Sequence, residues 1–135
     1  MDSVAPTKGI IMRPLFTSES DVVYAMLAHA SDPMHSLSTQ QREAIAARVP
    51  ELKVYKHCGC GTCPTVYLTA GEEPPEPRRD ANGKAVPQGS SYVLTADCPG
   101  AMVLLHIADG VPVELEVAPF EDRTVELPWP DQLLF

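Results

Sequence analysis

The sequence predicts an α+β fold in which an N-terminal helix pair packs on an antiparallel sheet of about four to five strands. The chain before residue 51 carries two helix-start signals, each followed by apolar residues at three- and four-residue spacing. Short β-branched runs bounded by turn residues follow, and an Asp-Gly pair joins the last two of them. The length of 135 residues suits one domain, residues 1–135, with a core of its own.

Capping signals and stop signals define the helix pair. The first helix is predicted to begin at Ser18 and to stop before Asp32-Pro33. The second is predicted to begin at Ser38, with Gln41 in the capping-box position, and to stop at Pro50. The short connection between them is typical of an αα hairpin. The apolar stripe of the first helix comprises Val22, Val23, Met26, Leu27 and Ala30.

The strand segments are β-branched or alternate apolar and polar side chains, and they are 52–56, 65–69, 92–95, 101–108 and 111–117. Asp109-Gly110 predicts a two-residue hairpin turn between the last two. A regular hairpin would place His106 on the face of Leu115, and Leu105 on the face of Glu114. Because Pro112 cannot donate a ladder hydrogen bond, it indicates an edge or a bulge, which would shift this register by one residue.

Three segments fall outside these elements. Residues 1–16 form an N-terminal arm, either mobile or a short edge strand around Ile10-Ile11-Met12. Residues 71–89 are rich in proline, glycine and charge, which predicts a flexible exposed loop. Residues 119–135 are expected to be a C-terminal tail laid over the domain, with a binding role for Trp129 as the alternative.

Charge and hydropathy restrict the classes of partner. The formal net charge of −8 argues against nucleic acid, because phosphate-backbone binding depends on clustered Lys and Arg. No stretch approaches the roughly 18 apolar residues of a membrane-spanning helix, and the first residues lack a signal-peptide pattern. We therefore expect a cytoplasmic protein whose partner is another protein. The sequence does not set its oligomeric state.

The densest group of reactive side chains is the turn His57-Cys58-Gly59-Cys60-Gly61-Thr62-Cys63-Pro64. Thiolates bind zinc strongly, and a site with four protein ligands is closed and therefore structural. Cys98, in a turn-like Asp97-Cys98-Pro99-Gly100 segment, would supply the fourth ligand, with His57 as a substitute. The predicted structural zinc ligands are Cys58, Cys60, Cys63 and Cys98. The alternative that stays open is four reduced thiols with no cofactor.

Two further interpretations use the same cysteines. Cys60-Gly61-Thr62-Cys63 resembles a redox dithiol, but a strand rather than a thiolate-stabilising helix is predicted to follow it. A nucleophilic Cys-His pair with His106 or His29 depends on a proximity that sequence does not show. On a hairpin strand, His106 is expected to be a core or boundary residue.

Five short motifs recur in a known pattern, and they are Cys58-Gly59-Cys60, Cys63-Pro64-Thr65, Val103-Leu104-Leu105-His106, Asp109-Gly110 and Leu115-Glu116-Val117. In these motifs the chain resembles a family of small, uncharacterised actinobacterial or actinobacteriophage proteins. The similar residues span about 19–130, and Pro112, Cys98 and the proline-rich loop depart from the pattern. The resemblance implies a compact α+β domain and no established activity.

No complete catalytic set is present in the sequence, so the function expected is a non-enzymatic binding or regulatory domain with a possible zinc staple. Such a domain would act through its acidic surface, the strand with Glu114 and Glu116, or the tail around Trp129. A thiol-dependent redox protein that uses Cys60 and Cys63 is the alternative.

Overall fold

The computed structural model describes residues 12–58, 63–75, 78–86 and 91–135. Two helices, α1 (Thr17–His29) and α2 (Thr39–Ala46), follow a short first strand, and two 3-10 turns lie at Val49–Glu51 and Pro130–Gln132. The strands are β1 (Arg13–Pro14), β2 (Lys53–His57), β3 (Val66–Thr69), β4 (Arg78–Arg79), β5 (Ala85–Val86), β6 (Tyr92–Cys98), β7 (Ala101–Ala108) and β8 (Val111–Pro119).

Six of the strands form one antiparallel sheet in the order β1-β2-β3-β8-β7-β6. The α+β class is therefore confirmed, while the expected four to five strands is corrected to six. The additional strand is β1, in which Arg13 and Pro14 pair with Val54 and Lys53 of β2. An outermost strand tolerates proline because one side of its backbone needs no ladder partner. The proposed strand centre at Ile10-Ile11 lies outside the described residues.

Helix α1 begins differently from the prediction. Its N-cap residue is Phe16 rather than Ser18, and the carboxylate of Glu19 accepts the Phe16 backbone N–H at 2.8 Å. Glu19 is buried and also accepts two hydrogen bonds, of 2.8 and 2.9 Å, from the Arg13 guanidinium. The guanidinium in turn lies 3.8 Å from the centroid of the Phe16 ring. A paired carboxylate thus satisfies the helix start where a serine hydroxyl was expected.

Helix α2 begins as predicted. The Ser38 hydroxyl accepts the Gln41 backbone N–H at 3.0 Å, and the Gln41 side-chain oxygen accepts the Ser38 N–H at 2.8 Å. This is a complete capping box, in which two otherwise unpaired donors are satisfied. The Arg42 side chain then donates to the Leu27 carbonyl oxygen at 2.8 Å, which ties α2 to the C-terminal part of α1.

One face of the sheet and the apolar stripe of α1 form the core. Val22, Val23 and Met26 are fully buried. Full burial of a side chain of this size contributes about 1.5 to 3 kcal/mol, so the stripe is a main source of stability. The sheet residues in the same buried cluster are Val54, Val66, Leu68, Leu94, Ala96, Cys98, Ala101, Val103, Leu105, Ile107, Leu115 and Val117.

The hairpin between β7 and β8 has the predicted turn and a different register. Asp109 and Gly110 have φ angles of 52° and 75°, which are typical of the type I′ turn. Ile107 pairs with Pro112, but His106 then pairs with Glu114, so Val113 is an extra residue in β8. The regular register expected from the sequence is therefore wrong beyond Pro112. The bulge is the one-residue shift that Pro112 suggested, and it returns the aliphatic residues of β8 to the core face.

The free edge of β6 is covered at every second residue. The Asp32 carboxylate accepts the Val93 N–H at 2.8 Å, and the Ser31 carbonyl accepts the Thr95 N–H at 3.0 Å. Farther along, Asp97 and Leu134 exchange backbone hydrogen bonds of 3.0 and 2.8 Å. The outward N–H groups of this edge are thus paired within the chain, which blocks the addition of a foreign strand.

The C-terminal segment and the segment 71–89 lie outside the six-stranded sheet and the two helices. The C-terminal segment buries Leu133 and pairs with β6, whereas Trp129 is 66% exposed. Within residues 71–89, Arg78 and Arg79 pair with Val86 and Ala85 as a small separate hairpin, and residues 76–77 and 87–90 lie outside the described part. In the described ranges, neither helix has the length and hydropathy needed to cross a bilayer.

Candidate metal centre on the outer face of the sheet

Three side chains that can ligate a metal meet on the sheet face opposite the core. His106 projects from β7, and Glu114 and Glu116 project from the neighbouring β8. Their meeting depends on the bulge at Val113, because the regular register would have put both carboxylates on the core face with Leu105. Local backbone irregularity has therefore assembled the group.

The geometry of this triad (His106, Glu114 and Glu116) is compact. One ligand atom from each residue lies within 4.8 Å of the other two. Glu116 Oε1 accepts a hydrogen bond from His106 Nε2 at 2.8 Å. The two side chains are 20% and 35% exposed, so the triad is partly shielded yet reachable from solvent. It is the one such group of His, Cys, Asp and Glu side chains in the part of the chain that the structure describes.

The two carboxylates of the triad lie close enough to repel each other, and this affects the pKa of Glu114. Partial burial raises the pKa of the Glu114 carboxyl, the neighbouring His106 lowers it, and Glu116 raises it again, with a net upward shift. The pKa of the Tyr67 hydroxyl is raised as well, first by burial and then by Glu114, whose negative charge opposes a second one. A cation placed among these oxygens would relieve the repulsion.

An aromatic and basic margin borders the triad on the β3 side. Tyr67 pairs directly with Glu114, and Lys56 of β2 pairs with Tyr67. The Lys56 ammonium lies 5.5 Å from the centroid of the Tyr67 ring. The centroids of the Tyr55 and Tyr67 rings are 6.3 Å apart. Lys56 is exposed at this margin, so the sheet face changes from acidic to basic over two strands.

The cysteines predicted as zinc ligands occupy two separate places. Cys58 and Cys63 lie on either side of residues 59–62, which are outside the described part and include Cys60, and both are half-buried. The Cys63 thiol donates to the Thr65 hydroxyl at 3.3 Å, and that hydroxyl accepts the Val117 N–H at 2.9 Å. Cys63 is thereby linked to β8 through Thr65.

Cys98 ends β6 at the same end of the sheet as the cysteine turn. Its thiol is buried and donates to the Ala101 carbonyl at 3.5 Å. Burial is the main reason that the pKa of the Cys98 thiol is raised, which disfavours the thiolate that zinc requires.

Strand order separates Cys98 from the other cysteines. β6 is three strands from β3, which at the usual spacing is about 14 Å across the sheet. Among the described residues, no group with ligand atoms close enough to share one metal ion includes Cys58, Cys63 or Cys98. The zinc staple and the Cys60/Cys63 redox pair stay predictions, since Cys60 is not described.

Sequence reasoning did not find the triad. His106 was expected on the face opposite Glu114, and no metal role was assigned to it. The available signal was Pro112: a bulge at that residue moves Glu114 and Glu116 to the His106 face. A histidine and two alternate carboxylates on adjacent strands then become visible as a possible ligand set.

No protein-family model, curated protein or solved structure matches the chain. The similarity to actinobacterial proteins therefore stays a prediction.

Proposed function

We propose that the protein is a non-enzymatic binding domain that holds a basic, extended segment of a partner protein against the outer face of its sheet. The observation that carries the proposal is the pair Glu114 and Glu116, two partly exposed carboxylates on one face of one strand. Residues two apart on a strand lie about 6.6 Å from each other. Lys or Arg at alternate positions of an extended segment has the same spacing and would meet both carboxylates.

Apolar side chains beside the carboxylates support the same occupant. Leu104 pairs with Glu116, Met102 pairs with Ala118, and all of these side chains are half-buried. Such a surface loses ordered water when a partner covers it, while the carboxylates fix the partner's register. The formal net charge of −8 would attract a basic segment over a longer range. The proposed setting is the cytoplasm, and the proposed partner is a protein.

A synthetic peptide of alternating lysine and valine is the probe for this proposal. We expect it to shift the backbone amide NMR signals of β7 and β8, with an affinity that falls as salt is added. Replacing both carboxylates, Glu114→Gln with Glu116→Gln, should weaken binding by about tenfold or more, because two charge-assisted contacts are lost. The matched control replaces two exposed tail carboxylates, Glu121→Gln with Glu126→Gln, and should bind the peptide like the unmodified protein.

An alternating serine and valine peptide measures the contribution of the backbone and valines alone. Equal affinity for both peptides, or equal losses in the two double variants, would contradict the proposal. Signals that shift only in the tail around Trp129 would move the binding role to that segment.

A further inference from the structure

The triad itself points to a second ligand. We propose that His106, Glu114 and Glu116 bind a divalent first-row transition-metal ion, with Zn²⁺ as the reference ion. This inference does not rest on the proposed protein-binding function. An imidazole nitrogen with two carboxylate oxygens is a set that such ions accept, and none of the three side chains has to move to another face to reach the ion.

The separation of His106 and Glu116 suits an ion after a small adjustment. Zn²⁺ lies about 2.0–2.2 Å from nitrogen and oxygen ligands, so two ligand atoms of a tetrahedral site are about 3.3 Å apart. The present separation of His106 Nε2 and Glu116 Oε1 is 2.8 Å, held by a proton between them. Replacing that proton with an ion requires the two atoms to separate by about half an ångström, which χ rotations of Glu116 can supply.

The backbone fixes the three side chains on two paired strands. His106 pairs with Glu114, and Leu104 pairs with Glu116, so both carboxylates flank the imidazole across one ladder. Directly opposite side chains, such as His106 and Glu114, have Cβ atoms about 4.5–5.5 Å apart, and diagonal ones, such as His106 and Glu116, about 7–8 Å, so both carboxylates lie within reach of the imidazole. Both strands also bury their other face in the core, through residues such as Leu105 and Leu115.

Three protein ligands leave at least one coordination position for water or an outside group. His106 and Glu116 are 20% and 35% exposed, so that position opens to solvent. The site differs in this respect from a closed four-thiolate staple, which has no free position. We therefore assign to it an exchangeable ion rather than one that is required for folding.

The test uses full-length protein purified without a metal-affinity tag and titrated with Zn²⁺ in a calorimeter. We expect one ion per chain at the triad. The variant His106→Ala should weaken this binding by about tenfold or more, because a direct ligand is lost. His35→Ala, which removes an exposed loop histidine, is the control and should leave the affinity unchanged. Equal affinity in His106→Ala and the unmodified protein would overturn the proposal.

Co²⁺ separates the triad from the cysteine turn. A nitrogen and oxygen site gives weak visible absorption, whereas thiolate ligands add an intense near-ultraviolet charge-transfer band. We expect the Cys58→Ser, Cys63→Ser double variant to keep the weak absorption and its change on His106→Ala. A cobalt spectrum that consists of the thiolate band alone, and disappears in the double variant, would contradict the triad.

NMR of the histidine rings tests the proposal in the unmodified protein, so the result does not depend on whether a variant folds. In the unmodified protein, Zn²⁺ should shift the His106 ring signals at lower concentration than those of His29 or His35. Uniform shifts of all histidines would overturn the proposal. The lysine-valine peptide should also bind His106→Ala normally, since its proposed contacts are the carboxylates. Failure of the metal proposal is thereby distinguishable from failure of the protein-binding proposal.

Discussion

The Asp32 carboxylate joins two parts of the molecule at the scale of a single residue. One oxygen accepts the N–H groups of Met34 and His35, at 2.7 and 3.2 Å, and the other accepts the N–H of Val93 in β6 at 2.8 Å. Burial by itself would raise the pKa of Asp32, but these three backbone hydrogen bonds and the nearby His35 bring the pKa below the ordinary value of an aspartate. The ionised form is therefore favoured in the folded chain.

This shift predicts a dependence of stability on pH. A carboxyl whose folded pKa is depressed stabilises the fold above its unfolded pKa, and the contribution disappears as pH falls through the folded value. Asp32→Asn should therefore be less stable than the unmodified protein at pH 6 to 7, and the difference should shrink below about pH 4. Urea unfolding across this range measures it. The exposed Asp122→Asn serves as the control, and a difference that grows at low pH would refute the prediction.

At the scale of elements, the β7–β8 hairpin shows which features sequence can predict. Its turn was predicted from Asp109-Gly110 because few residues adopt positive φ without strain. The strands were predicted from their β-branched and alternating apolar pattern. The register was not predicted, because a bulge depends on how two strands pair, and Pro112 indicates only that a bulge is nearby. A register shift of one residue moves every side chain of the strand to the other face of the sheet, so the triad could not be predicted without knowing the bulge.

Gly110 offers a test of that turn. Its φ angle is 75°, and a Cβ atom there would meet nothing within 4 Å, so Gly110→Ala changes conformation without a steric clash. We expect the free energy of unfolding to fall by about 1 kcal/mol, the cost of the left-handed region for alanine. Gly71→Ala is the matched control, because its Cβ would make only ordinary contacts of 3.6 to 3.9 Å. Equal effects of the two substitutions in urea unfolding would count against a conformational origin.

At the scale of the whole molecule, sequence patterns predicted the α+β class, the helix pair and most strands. They did not predict that Arg13 pairs with Glu19, nor that Phe16 precedes α1, because a salt bridge between an arm and a helix has no local pattern. They also offered Cys98 as a fourth ligand beside Cys58, Cys60 and Cys63, which requires Cys98 to lie close to them. Strand order decides that distance, and non-consecutive strand order follows from packing of the complete sheet rather than from any short motif.

The C-terminal segment is predicted to protect the sheet edge. Removing residues 133–135 takes away the buried Leu133 and the backbone bonds between Leu134 and Asp97. We expect a loss of about 3 kcal/mol in the free energy of unfolding, together with concentration-dependent self-association through the opened β6 edge. Leu134→Ser is the control, because the Leu134 side chain is 66% exposed and its backbone bonds remain. Denaturant unfolding and sedimentation measure both effects; a truncated chain as stable and monomeric as the control would disprove them.

The bulged hairpin also has a consequence for the order of events during folding. All three triad residues lie on one hairpin closed by a two-residue turn, and such units form within about 1–10 μs. Pairing of β3 with β8 instead has to close the long segment between Val66 and Leu115. We therefore expect the ligand set to assemble before β3 pairs with β8. An ion that also binds this early hairpin stabilises the native state by less than its affinity for the folded protein would imply.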